Sequence, residues 1–152
     1  MLIVQGNIAV TYSSLGRSED ALRMRRDIYT GCLKLNGEDG PRALSAAINL
    51  VSSLIDLQRF KEAKTLLRKK IPVARRTFGE SNEVTLRMRW SYAEALCRAD
   101  GATLGDTREA VATLEDLERT TQRVMGGAHP TTASIGRTLQ NARAALSARE
   151  AA

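Results

Sequence analysis

The chain is short of aromatic residues, prolines, cysteines and histidines, and each scarcity closes off a class of protein. Phenylalanine, tyrosine and tryptophan make up 4% of its 152 residues. No stretch alternates apolar and polar residues at period two, so a sheet fold has neither its usual residues nor its pattern. Three prolines leave long segments free to run as helix. Cys32 and Cys97 lie far apart without CxxC spacing, which argues against a disulfide framework and for small buried thiols in a reducing compartment. The lone histidine, His129, makes neither a metal set nor a Cys-His dyad with them. Phosphate-cradling glycine loops and the nucleophile elbow are also missing. Gly101 and Gly105 signal a bend and no more. The expectation is a protein that is not an enzyme and uses no cofactor or metal. No apolar run approaches the ~20 residues of a membrane span. Residues 1–4, Met-Leu-Ile-Val, are too short for a signal peptide and lack its basic start. A cytoplasmic location is therefore the default expectation.

What is present is helix-forming. The chain is 43% hydrophobic and 26% charged, and alanine, leucine and arginine are plentiful. It also repeats itself. Adding 42 residues carries Asn7 to Asn49, Arg17 to Arg59, Ala21 to Ala63 and Gly37 to Gly79. A third copy begins at Ser91, drifts by five residues, and maps Ala63 to Ala110 and Gly79 to Gly126. A period in this range marks stacked structural units.

Capping signals divide each unit into two helices. Helices are expected over about 2–15, 18–36, 41–56, 60–78, 82–98, 107–125 and 130–149. Gly16 stops the first, and Ser18 with Glu19 and Asp20 opens the second with a capping hydroxyl and acids at its positive end. Pro41 suits a first helical turn. Pro72 falls inside 60–78, where it predicts a kink near Ile71 or a helix that ends and restarts. The five-residue excess of the third unit falls within 99–106, expected as an exposed loop.

On Asn7-Ile8-Ala9, Gly16-Arg17 with Asp20-Ala21, and Gly126-Gly127-Ala128-His129-Pro130-Thr131-Thr132, the chain resembles tetratricopeptide repeats (TPR) of the kinesin-light-chain type. The second unit carries the same marks at Asn49-Leu50-Val51, Arg59-Phe60-Lys61-Glu62-Ala63 and Gly79 through Thr85. The resemblance implies an all-α, right-handed α-solenoid of about three and a half helix hairpins, seven helices in all. It implies one domain over 1–149, with repeats at about 1–37, 40–79 and 82–126 and a capping helix at 130–149. Small Ala9 and Val51 would face Ala21 and Ala63, with Tyr12, Leu54 and Leu96 filling the space beside them. First helices would line a concave groove and second helices its convex back. His129 would serve in a turn or as a cap.

The resemblance also implies a job, holding a peptide segment of a protein partner in the concave groove. Its residues would be Asn7, then Ser45, Asn49, Ser52 and Asp56, then Arg87, Ser91, Glu94 and Arg98, and last Thr138 and Asn141. An asparagine amide both donates to and accepts from an extended backbone, which makes Asn49 the leading candidate. Ser91 and Thr138 stand where the family has asparagine. A carboxylate clamp for an acidic C-terminus is incomplete, because Gly6 and Val10 replace its first cation and amide and Ser91 a later cation.

A different job is written in the charge. Residues 58–76 hold Arg59, Lys61, Lys64, Arg68, Lys69, Lys70, Arg75 and Arg76 against the single acid Glu62, while the whole chain carries +6. Such a helix could meet nucleic acid or an anionic membrane surface. No aromatic residues interleave with it for base stacking, Phe60 reading as core, and a solvated face is the simpler account. Tyr92 reads as core, and Trp90 either lines the groove or packs between helices. In the last helix Ile135, Leu139, Ala142 and Leu146 form one apolar stripe, and Gln140 suits a solvated cap. Residues 1–15 have no comparable cap, so self-association through them is a further expectation.

Overall fold

The computed structural model describes residues 16–152. Six helices are found among these residues: α1 (Ser18–Asn36), α2 (Pro41–Asp56), α3 (Phe60–Phe78), α4 (Glu83–Arg98), α5 (Leu104–Met125) and α6 (Pro130–Glu150). Seven were expected. The expected helix at 2–15 lies outside the described residues, as do Asn7, Ala9, Tyr12 and the proposed surface for self-association.

Local chemistry accounts for most of the boundaries. Pro41 occupies the first turn of α2, where its missing N–H costs nothing. The Asn82 side chain accepts from the Val84 N–H at 2.9 Å and so caps α4. His129 does the same for α6, its Nδ1 accepting from the Thr131 N–H at 3.2 Å, which is the capping role read from sequence. At α1 the expectation fails. Ser18 is already helical, the N-cap is Arg17, and no side chain caps the helix. Arg17 instead donates to Asp20 at 2.7 Å. Helix α5 starts at Leu104, three residues before the expected Thr107, because Thr103 and Asp106 form a reciprocal capping box. The loop shrinks to 99–103.

Gly37, Gly79 and Gly126 follow α1, α3 and α5 with φ of 72°, 89° and 90°. The glycine that closes each sequence repeat therefore makes the same left-handed stop each time, a conformation that a Cβ would strain. Pro72 does not end α3, which runs unbroken through it. Pro72 and Arg68 are both exposed. The Arg68 carbonyl, deprived of its helical donor, lies on the solvent side where water can satisfy it.

Consecutive helices pack against each other, and α2 also meets α4 as α4 meets α6. No Cα of α1 comes within 8 Å of α3, nor any of α3 within 8 Å of α5. The even helices thus form a close inner layer, and the odd helices a spread outer one. Burial agrees. Ten of the 16 residues of α2 and eight of the 16 of α4 are buried, against seven of the 19 of α3. Small residues set the approach. Val51, Ala63, Ala93 and Ala110 have no exposed surface, and Leu54 and Leu96 fill the core beside them. In α6, Ile135, Leu139 and Ala142 are buried and Leu146 packs partly against them, while Gln140 is exposed. Each fully buried leucine is worth about 2 kcal/mol, and no hairpin covers both of its own faces.

One charged group inside the stack is tied down on both sides, whereas the buried hydroxyls of Thr85 and Thr132 have no partner among the described residues. Arg89, 6% exposed, donates to Asp116 at 2.6 Å and to Glu80 at 3.4 Å. It joins α4 to α5 and to the turn after α3. Hydrogen bonding to Arg89 holds the Asp116 carboxyl below the ordinary carboxylate range.

Two consequences follow for stability. A Cβ at Gly40 would fall 2.6 Å from both the Cβ and the carbonyl oxygen of Asn36, whereas one at helical Gly105 meets the Thr103 hydroxyl at an ordinary 3.6 Å. In thermal or urea unfolding, Gly40→Ala should lose about 2 kcal/mol and Gly105→Ala should gain about 0.5 kcal/mol. Asp116→Asn should cost about 1 kcal/mol at neutral pH, a modest figure because the carboxylate is half exposed. Since the folded carboxyl titrates below its unfolded value, this contribution is complete above the ordinary carboxylate range. It is lost as pH falls through the folded value. Wild type and variant should therefore differ at pH 7 and converge in strong acid.

Candidate functional site: a furrow across the inner helices

The inner helices present polar stripes at steps of four, three and four residues, which is one face of a helix. On α2 the stripe is Ser45, Asn49, Ser52 and Asp56; on α4 it is Arg87, Ser91, Glu94 and Arg98. Ser52, Ser91 and Glu94 are half-buried and the other five are exposed.

Two hollows lie along these stripes. The first, about 400 Å³, is bounded by Ser52, Ile55 and Asp56 of α2 and by Ser91, Glu94 and Arg98 of α4. The second, about 590 Å³, lies between α4 and α6 over the end of α5. Its walls are Glu83, Arg87, Trp90, Ser91, Glu94, His129 and Thr131, above Leu86, Met125 and Ile135. Ser91 and Glu94 border both, so the hollows form one furrow crossing α2, α4 and α6. Five of the residues expected in the groove thus meet in the first hollow, and Arg87 joins Ser91 and Glu94 in the second.

The remaining groove candidates line neither hollow. Ser45 is exposed, and so is Asn49, whose backbone carbonyl accepts from Arg25 at 3.3 Å. Thr138 accepts from the Trp90 Nε1–H at 3.2 Å and donates to the Ser134 carbonyl at 3.0 Å. Asn141 is exposed. Trp90 therefore does both things the sequence left open, bordering the furrow and bonding across to α6. Sequence reasoning missed Ile55, Glu83, Leu86, Met125, Thr131 and Ile135. Leu86 was within reach, since it precedes Trp90 by one helical turn at the edge of the polar stripe.

Charge within the furrow is partly cancelled. Arg98 pairs with Glu94 and lies 4.9 Å above the Phe60 ring, itself core as expected. Asp56, Glu83 and Arg87 form no ion pair among the described residues. Beneath the furrow Tyr92 is buried, as its repeat position implied, but its hydroxyl is in use. It accepts from Arg68 at 3.0 Å and donates to Glu109 at 2.9 Å. Burial, more than either partner, raises the Tyr92 phenol above its ordinary value.

The basic helix on the outer layer is less open than its sequence suggests. Lys70 is 4% exposed, 3.6 Å from Glu38 and over the Tyr29 ring. Arg59 pairs with Glu62, Lys64 with Asp106, Arg75 with Glu80 and Arg76 with Asp39. Arg68 is engaged by Tyr92. Among the described residues, Lys61 and Lys69 are the members of the patch left exposed with neither an ion pair nor a side-chain hydrogen bond. Cys32 is buried and Cys97 half-buried, both as free thiols, and burial raises the Cys97 thiol above its usual value, which suppresses its reactivity. No three His, Cys, Asp or Glu side chains among the described residues group to hold a metal, and no described helix is long and apolar enough to cross a membrane.

Comparison with known proteins gives the architecture a family context. Residues 43–82 match the tetratricopeptide repeat family model. No curated protein sequence matches the chain. Two solved structures of nearly identical TPR-like repeats, assigned to a kinesin light chain of Podosopora anserina, superpose with TM-scores of 0.84 and 0.83. Each is 20% identical over 95% of this chain, which spans 66% of theirs. The chain therefore carries a tetratricopeptide repeat and has the fold of kinesin-light-chain TPR-like repeats.

Proposed function

We propose that this chain is a protein-interaction scaffold that holds a segment of a partner protein in the furrow across α2, α4 and α6. The observation that carries the reading is the continuity of the two hollows through Ser91 and Glu94. A groove that crosses three parallel inner helices suits an extended segment, and tetratricopeptide repeats are interaction modules. Asn49 lines neither hollow but stands exposed on the α2 stripe one turn before Ser52, where its amide can donate to and accept from the backbone of a segment leaving the furrow, and Trp90 offers an aromatic anchor beside an apolar floor. Helices α2 and α4, which supply most of the furrow, are the most deeply buried of the described helices, so the segment meets a preformed surface and binding needs little rearrangement. The proposed domain spans 1–149, with repeats at about 1–37, 40–79 and 82–126 and a closing helix at 130–149. Its work is binding, with no reaction of its own.

The test is affinity capture from a native lysate with three forms of the chain. Partners recovered by wild type should be lost when Asn49 and Arg87 are changed to alanine, and retained when Lys69 and Lys70 are changed to glutamate. Recovery that survives the first pair, fails with the second and collapses steeply with salt would move the site to the outer helix.

A further inference from the structure

The furrow is electrically uneven, and this unevenness names the chemistry of its occupant, given the reading that a partner segment lies there. The first hollow sits at the C-terminal ends of α2 and α4, where unpaired carbonyls give each helix a negative bias. Asp56 is the last residue of α2, and the last turn of that helix holds no basic residue. Its carboxylate therefore stands at the negative end of its own helix, a placement that is unfavourable until a cation covers it. It forms no ion pair among the described residues. Arg25 acts on it from beyond ion-pair distance, its Nη1 donating to the Ser53 hydroxyl at 2.6 Å and to the Asn49 carbonyl. Glu94 adds a second carboxylate to the hollow, and its partner Arg98 cancels that charge alone. One negative charge remains, at the wall with the least compensation.

The second hollow differs. Glu83 and Arg87, one turn apart on α4, offset each other on its rim, and its floor of Leu86, Met125 and Ile135 beside Trp90 is apolar. An acidic segment would set its charge against Asp56 and two helix C-termini. A basic one would relieve all three.

We propose that the furrow takes a peptide segment that places a lysine or arginine side chain in the first hollow against Asp56 and a large apolar side chain in the second, beside Trp90. The two side chains must be near neighbours in the ligand, because Ser91 and Glu94 border both hollows.

Selection of random dodecapeptides displayed on phage against the full chain tests this. Trp90 is the one tryptophan in the sequence, so its fluorescence reports occupancy when the selected peptides are synthesised and titrated. The selected peptides should pair a basic residue with a nearby aliphatic or aromatic one. Asp56→Asn should weaken them about fivefold and flatten the salt dependence of binding, and Asp56→Lys should shift the selection toward acidic peptides. Peptides that perturb Trp90 but show no basic residue, or that bind Asp56→Asn unchanged, would overturn this inference and leave the furrow as the binding site. Peptides that leave Trp90 fluorescence and the Arg87→Ala affinity untouched would overturn the site itself. A selection that yields no binder would overturn both.

Discussion

The architecture depends on how closely the inner helices can approach their neighbours. Val51, Ala63, Ala93 and Ala110 put small side chains where larger ones would hold the helices apart, and none of the four keeps any surface in water. Close approach on that side leaves the outer helices more than 8 Å apart between Cα atoms, and the stack takes its two layers from this difference. The furrow is a by-product of the same constraint. Two polar stripes, on α2 and α4, are brought side by side because the apolar faces behind them must meet.

Charge plays separate parts on the two layers. Inside, Arg89 is nearly sealed from solvent and held by two carboxylates, so it links α4 to α5 and to the turn before it. Losing both carboxylates at once would leave the Arg89 charge buried and unpaired, which costs far more than breaking a surface pair. On the outer layer, pairs such as Arg59 with Glu62 and Arg76 with Asp39 are exposed and individually weak. They still matter for function, since they occupy most of the cations that would otherwise have offered an anionic partner a continuous face.

The fold was written plainly in the chain because periodicity, glycine stops and caps all pointed the same way. Gly37, Gly79 and Gly126 recur in the sequence and adopt one conformation in the structure. The Ser18 cap was misplaced because a serine at the first helical residue looks, in sequence, like one at the cap itself. The early start of α5 was overlooked because Gly101 and Gly105 suggested a loop, although Thr103 and Asp106 spelled a capping box. The groove was half legible. Ser52, Asp56, Ser91, Glu94 and Arg98 meet as the family resemblance implied, spacing alone placing each helix's set on one face without joining the two. Leu86, Met125 and Ile135 reach the second hollow from three different helices, and only tertiary packing brings those together. Lys70 counted as a surface cation until the Tyr29 ring and Glu38 enclosed it.

The gap between the outer helices has a mechanical meaning. Long side chains span it, among them Arg26 with Glu62 and Lys64 with Asp106. A layer joined partly by exposed pairs such as Arg26 with Glu62 resists opening less than the packed inner layer, because such pairs lengthen or exchange at little cost. The molecule is thus built like a leaf spring with a stiff face and a compliant back. Screening salt weakens the exposed pairs of that back before it touches the core.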